Sequence, residues 1–128
     1  MTKINLASCT IEKIKDKLIL VSYKDDYYVN LVDAIEIKET FETLIPEGDI
    51  FAIINLQRRF LQVSQEAQKF LGQDSPLLPR IKGVAMVLNN LPSRLIIKFF
   101  INHFKPSYPS EVFKNATMAK KWLETIGL

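Results

Sequence analysis

Two groups of polar side chains in this sequence have the residue types and the spacing of a binding edge. Each group follows an apolar segment, and together they contain Arg58, Arg59, Ser64, Asn89, Asn90 and Arg94. A hydroxyl at the start of a helix and close to two arginines is a position where a phosphate is electrostatically tolerated. Ser64 is therefore a candidate phosphoacceptor, and the arginines and asparagines are a candidate partner-binding edge. The alternative is that the Ser64 hydroxyl simply caps a helix.

The elements that must position these residues are two apolar strands. The segments Phe51–Leu56 and Val84–Leu88 form continuous apolar runs. A strand of this kind is covered on both faces, which is typical of the centre of a parallel sheet. The loops that follow such strands meet at the carboxyl edge of the sheet, where open α/β proteins usually carry their sites.

The rest of the chain completes an α/β fold. Strands over 9–14 and 18–23 form an antiparallel hairpin, and a last strand covers 111–114. Helices are predicted over 31–45, 65–71 and 91–104, and from a cap at Asn115 or Thr117 to residue 126. We predict an α/β fold with a mixed, mostly parallel sheet, an N-terminal antiparallel hairpin and about four helices, in a single domain over residues 1–128.

Local signals fix the ends of two helices. Asn30 is placed to cap the first helix, with Asp33 at its third position and Val29 packing on Ala34. In the final helix a buried face is predicted, formed by Met118, Ala119, Trp122 and Leu123.

The helix over residues 91–104 is apolar around most of its circumference. The apolar residues leave a polar stripe of Arg94, Lys98, Asn102 and Lys105 at helical spacing. A surface helix needs an apolar stripe of about 100°, so some of its side chains lack an obvious partner within the chain. Neighbouring elements could cover them, or they could form a dimer face or a lipid-facing surface with basic residues near phospholipid headgroups. The candidate dimer or lipid face consists of Ile96, Phe99, Phe100 and His103.

Composition excludes several functions. The net charge of the 128-residue chain is +3 and its charges are scattered, which argues against a nucleic-acid partner. The single cysteine, Cys9, excludes an internal disulfide and a cysteine-based metal site. The chain lacks both a signal peptide and an apolar run of about 20 residues, which indicates a cytoplasmic protein.

No catalytic motif is visible. The lone His103 has no acid or nucleophile at a spacing that suggests a triad, and four glycines form no phosphate-cradling loop. Asp25 and Asp26 are predicted to form a turn, because the other ligands of a calcium loop are missing. We therefore expect a protein that is not an enzyme and that needs neither a cofactor nor a metal.

Several segments carry a family resemblance. They are Ile54–Leu56, Val63–Ala67, Val84–Asn90, Arg94–Phe100, Lys105–Pro109, Val112–Asn115 and Ala119–Leu123. Together they resemble a bacterial family of small SpoIIAA-like proteins of unknown function, which have the STAS-type fold and are also described as STAS or CRAL-TRIO-like domains. The resemblance covers roughly residues 29–126 and implies a mostly parallel sheet with helices packed on it.

The resemblance also implies a mode of action. In the STAS anti-sigma-factor antagonists, a partner kinase phosphorylates a serine at the start of the helix after a central strand, and this controls partner binding. Ser64 takes the place of that serine, but Val63 and Gln65–Ala67 replace the antagonists' Asp and Ser-Gly-Leu-Gly. The expected function is a non-enzymatic regulatory or protein-interaction module, for which serine phosphorylation is a candidate switch and a homodimer is a candidate assembly. The alternative is peripheral lipid or membrane-surface binding through the helix over 91–104.

Overall fold

A computed structural model of the chain describes residues 3–56 and 62–128. Its strands are β1 (Lys3–Asn5), β2 (Cys9–Lys15), β3 (Leu18–Tyr23), β4 (Tyr28–Val29), β5 (Ile50–Asn55), β6 (Gln62–Val63), β7 (Ile81–Val87) and β8 (Ser110–Phe113). Its α-helices are α1 (Leu31–Leu44), α2 (Gln65–Lys69), α3 (Leu91–Phe104) and α4 (Ala116–Thr125).

The described strands form one large mixed sheet and one small sheet. The large sheet has six strands in the order β1-β2-β3-β5-β7-β8. The strands β1, β2 and β3 are antiparallel to one another, whereas β3, β5, β7 and β8 are parallel. The predicted α/β class, with a mostly parallel sheet, an N-terminal antiparallel hairpin and four helices, is therefore confirmed.

Successive residues of β5 divide the core into two layers. Phe51 and Ile53 belong to the cluster that contains the buried face of α4, while Ala52 and Ile54 belong to the cluster that contains the buried face of α1. Because successive side chains of a strand point to opposite faces, the sheet is covered on both sides. This explains why β5 is apolar along nearly its whole length.

The first turn of α1 is fixed by local hydrogen bonds. Asn30 Oδ1 accepts from the Asp33 backbone N–H at 3.0 Å, and Asp33 Oδ2 accepts from the Asn30 N–H at 2.9 Å. The Tyr27 hydroxyl also donates to Asp33 Oδ1 at 3.0 Å. Val29 and Ala34 share a buried cluster. The predicted capping box and hydrophobic staple are therefore confirmed.

Helix α4 packs closely on the sheet at Gly83. A Cβ atom added to Gly83 would lie 2.6 Å from Ile126 Cδ1 and 3.0 Å from Leu123 Cδ2. Ala119 and Leu123 are fully buried and Trp122 is half-buried, as predicted. The assignment of Met118 to the buried face was wrong, because 43% of this residue is exposed.

Arg80 holds the turn between α1 and β5, a role that the sequence did not indicate. Its Nε donates to the Gly48 carbonyl at 2.8 Å, and its Nη2 donates to the Ile45 carbonyl at 2.5 Å. Ile45 is the residue that ends α1, and Gly48 has a φ of 89°. The guanidinium therefore satisfies carbonyl groups at a helix C-terminus, where a positive charge is also favourable.

Three features were not predicted. β1 extends the hairpin by one strand, and β4 pairs with β6 in parallel. The third feature is that α2 continues as a π-helical turn, Phe70–Asp74, so the helix does not end before Gly72.

Candidate interaction surface

Ser64 is a helix cap held between two elements. Its Oγ accepts from the Ala67 N–H at 3.0 Å, and its backbone N–H donates to the Val29 carbonyl at 2.9 Å. The residue is half-buried. The predicted capping role is confirmed, while its phosphorylation stays a prediction. Arg58 and Arg59, which were predicted to lie near Ser64, are outside the described residues.

The second predicted group lies at the carboxyl end of β7. Asn89 and Asn90 are exposed, and Asn90 Oδ1 caps α3 by accepting from the Ser93 N–H at 3.0 Å. Arg94 is half-buried, and its Nη1 donates to the Leu88 carbonyl at 3.0 Å. Asn90 therefore caps α3, and Arg94 joins α3 to the residue that follows β7.

Helix α3 carries an exposed apolar stripe. Leu91, Leu95 and Phe99 are 57%, 60% and 68% exposed. They are spaced four residues apart and so lie along one face of the helix. His103 comes one turn later, is also exposed, and stacks on Phe99 with ring centroids 6.2 Å apart and planes 3° apart.

This stripe only partly coincides with the predicted dimer or lipid face. Phe99 and His103 belong to both. Ile96 and Phe100 also lie on α3, but their side chains are outside the described part of the chain. Leu91 and Leu95 were not selected from the sequence, since a helix that is apolar nearly all round does not reveal which side its neighbours cover.

An exposed lysine, Lys98, lies beside the stripe. Lys98 and Asn102 are exposed and, by helical spacing, lie on the same side of α3 as Leu91 and Leu95. The sequence contains no acidic residue between Ser75 and Ser110, and the basic residues of that segment are Arg80, Lys82, Arg94, Lys98 and Lys105. We call Leu91, Leu95, Lys98 and Phe99 the basic face.

Two titratable side chains, Cys9 and Tyr108, have pKa values that burial raises. Burial raises the pKa of the Cys9 thiol, which disfavours a nucleophilic thiolate. Burial also raises the pKa of Tyr108 to about 12, and its hydroxyl donates to the Leu71 carbonyl at 3.2 Å. Among residues 3–56 and 62–128, no cluster of His, Cys, Asp and Glu could hold a metal ion. Within those residues there is also no helix with the length and apolar character needed to cross a membrane.

Comparison with known proteins supports the fold. A crystal structure of an uncharacterised protein of the DUF3478 family from Shewanella loihica PV-4, described as having a SpoIIAA-like fold, aligns with a TM-score of 0.61. The alignment covers 96% of this chain and 99% of that one, at 16% sequence identity. No curated protein matches the chain. The chain therefore has a SpoIIAA-like fold, as its resemblance implied.

A family model for a domain of unknown function, DUF7793, matches residues 12–127. This match spans the sheet from β2 to β8 and all four described α-helices. The chain belongs to the DUF7793 family.

Proposed function

We propose that this chain is a protein-interaction module that docks a partner protein through the basic face of α3. The observation that carries the proposal is the stripe of Leu91, Leu95 and Phe99, each more than half exposed. Apolar side chains grouped in this way usually mark an interaction surface in a folded domain. The partner surface would combine apolar groups with negative charge, because Lys98 lies within the stripe and no acidic residue occurs from Ser75 to Ser110.

Ser64 is the proposed regulatory position. Phosphate on its hydroxyl would add up to about −2 charge at the N-terminus of α2, a position that tolerates negative charge. Phosphorylation would also act next to β4, because the backbone N–H of Ser64 donates to the carbonyl of Val29 in that strand. Both effects act at α2, which packs against α1, so phosphorylation is proposed to alter that part of the surface without any catalytic role for the chain.

The second candidate function is binding to an anionic lipid surface. Phe99 and Leu95 with Lys98 beside them also resemble the arrangement of a helix that lies in a membrane interface. This candidate uses the same residues, so only the nature of the partner distinguishes it from protein docking.

The test is affinity capture of the tagged chain from its own cells, with mass spectrometry of the co-purifying proteins and of Ser64. The double variant Leu95→Ser/Phe99→Ser is compared with wild type and with Met118→Ser, which changes an exposed apolar residue on α4. We expect specific proteins to be lost from the double variant and kept by Met118→Ser. Equal capture by all three chains would contradict the proposal.

The lipid candidate is tested with the same chains. They are sedimented with vesicles of phosphatidylcholine, with and without phosphatidylserine. Binding that needs phosphatidylserine and is lost in the double variant would favour the lipid surface over a protein partner. The absence of sedimentation with either vesicle would remove that candidate.

A further inference from the structure

Helix α1 presents a second exposed apolar patch. Val32 is 67% exposed and Ile35 is also exposed. They are three residues apart and so are neighbours on one face of the helix. The exposed Glu36 and Glu39 follow at helical spacing on the same side. We call Val32, Ile35, Glu36 and Glu39 the acidic face.

The acidic face and the basic face carry opposite charge. The acidic residues between Asn30 and Ile50 are Asp33, Glu36, Glu39, Glu42, Glu47 and Asp49. The one basic residue of that segment is Lys38, which pairs with Glu42 at 3.0 Å. Each face therefore combines exposed apolar groups with charge of one sign.

The two faces are held by different parts of the fold. α1 packs against β2 and α2, whereas α3 packs against β8 at the end of the sheet. Val32 and Leu95 are each at least 60% exposed, so neither is covered by the other face of the same molecule. Two complementary surfaces that are both open in one chain can contact each other only between chains.

We infer that the basic face of one copy packs on the acidic face of a second copy. This inference rests on the docking role proposed for the basic face and identifies its partner as the chain itself. A contact between different surfaces is heterologous, so it repeats from copy to copy as a ring or an open chain. Pairing of two basic faces would instead bring Lys98 towards its own counterpart, and such like-charge contacts are unfavourable.

The test uses analytical ultracentrifugation of the full chain. One variant, Leu95→Ser/Lys98→Glu, alters only the basic face, and the other, Val32→Ser/Glu39→Lys, alters only the acidic face. All four positions are on the surface, and circular dichroism with thermal unfolding checks that the fold is kept. We expect wild type to associate as its concentration rises towards about 1 mM. Each variant alone is expected to associate with a dissociation constant at least about tenfold larger.

A mixture of the two variants tests directly whether the two faces bind each other. The first variant keeps an intact acidic face and the second keeps an intact basic face, so an equimolar mixture is expected to form a 1:1 complex that stops at two copies. The association of wild type should also weaken when salt rises from about 0.05 M to about 0.5 M, because screening reduces the attraction between the faces. Met118→Ser should associate like wild type.

Several outcomes would overturn the inference. They are a wild type that stays monomeric at about 1 mM, undiminished association of the acidic-face variant, or a mixture that forms no 1:1 complex. A monomeric wild type that still loses captured proteins when Leu95 and Phe99 are changed would leave the proposed docking function in place. Capture that does not depend on the basic face would contradict that function itself.

Discussion

Arg80 offers a direct test of how the fold is held together, through the substitution Arg80→Ala. The change removes one hydrogen bond to the Ile45 carbonyl in a partly buried setting and one to the exposed Gly48 carbonyl. Hydrogen bonds to charged groups contribute about 1.5–3 kcal/mol each, and exposed ones contribute least. Weighting the buried bond most, we expect the free energy of unfolding to fall by about 2–3 kcal/mol.

Urea unfolding measures this loss as a shift of the transition midpoint at unchanged slope. Lys82→Ala is the matched control, since Lys82 is an exposed basic residue two positions further along the chain, and its effect should stay within about 0.5 kcal/mol. Arg80→Lys should be intermediate, because an ammonium group cannot reproduce the two-pronged guanidinium contact. A stability of Arg80→Ala within 0.5 kcal/mol of wild type would refute the reasoning, as would an Arg80→Lys variant as stable as wild type.

Two further predictions concern the core. Folding favours the neutral form of Tyr108, since burial raises its pKa from 10.0 to about 12. This shift contributes about 2–3 kcal/mol to the free energy of unfolding below pH 10, and the contribution is lost as the pH rises to 12. The free energy of unfolding, followed by circular dichroism, should therefore fall less steeply over this pH range in Tyr108→Phe than in wild type. Equal pH dependence of the two chains would contradict the raised pKa of Tyr108. Gly83→Val should destabilise the fold by about 1–3 kcal/mol through contact with Ile126 and Leu123. Gly72→Ala is the control, because its Cβ would meet nothing within 4 Å, and it should melt at or above the wild-type temperature. An equal loss of stability in Gly83→Val and Gly72→Ala would show that the packing of α4 is not the cause.

Residues that act locally could be predicted from the sequence. The capping box of Asn30 and Asp33 depends on residues three positions apart, and the apolar run of β5 reflects cover on both faces. Met118 was misplaced because helical spacing does not show which residues of α4 its neighbours cover, which is a tertiary property. The pairing of β4 with β6 was missed because two-residue strands are too short to show a period.

The exposed apolar stripe of α3 was only partly predictable for a related reason. Helical spacing identifies which residues of α3 share a face, but the position of β8 decides which face is covered. Phe99 and His103, selected from the sequence, are exposed, whereas the exposure of Leu91 and Leu95 required the packing of α3 to be known. The contact of Arg80 with α1 joins residues 35 positions apart in sequence, and no local pattern reports such a pair.

The distribution of charge on the surface cannot be obtained from the composition. A net charge of +3 describes the sum over the chain, and a sum does not distinguish scattered charges from charges grouped by sign on different helices. Here Glu36 and Glu39 lie beside exposed apolar residues on α1, while Lys98 lies beside exposed apolar residues on α3. Electrostatic attraction acts over about 10 Å at moderate ionic strength, so each face responds to its own local charge and not to the total. A chain with a net charge of +3 can therefore present two exposed helix faces whose local charges have opposite sign.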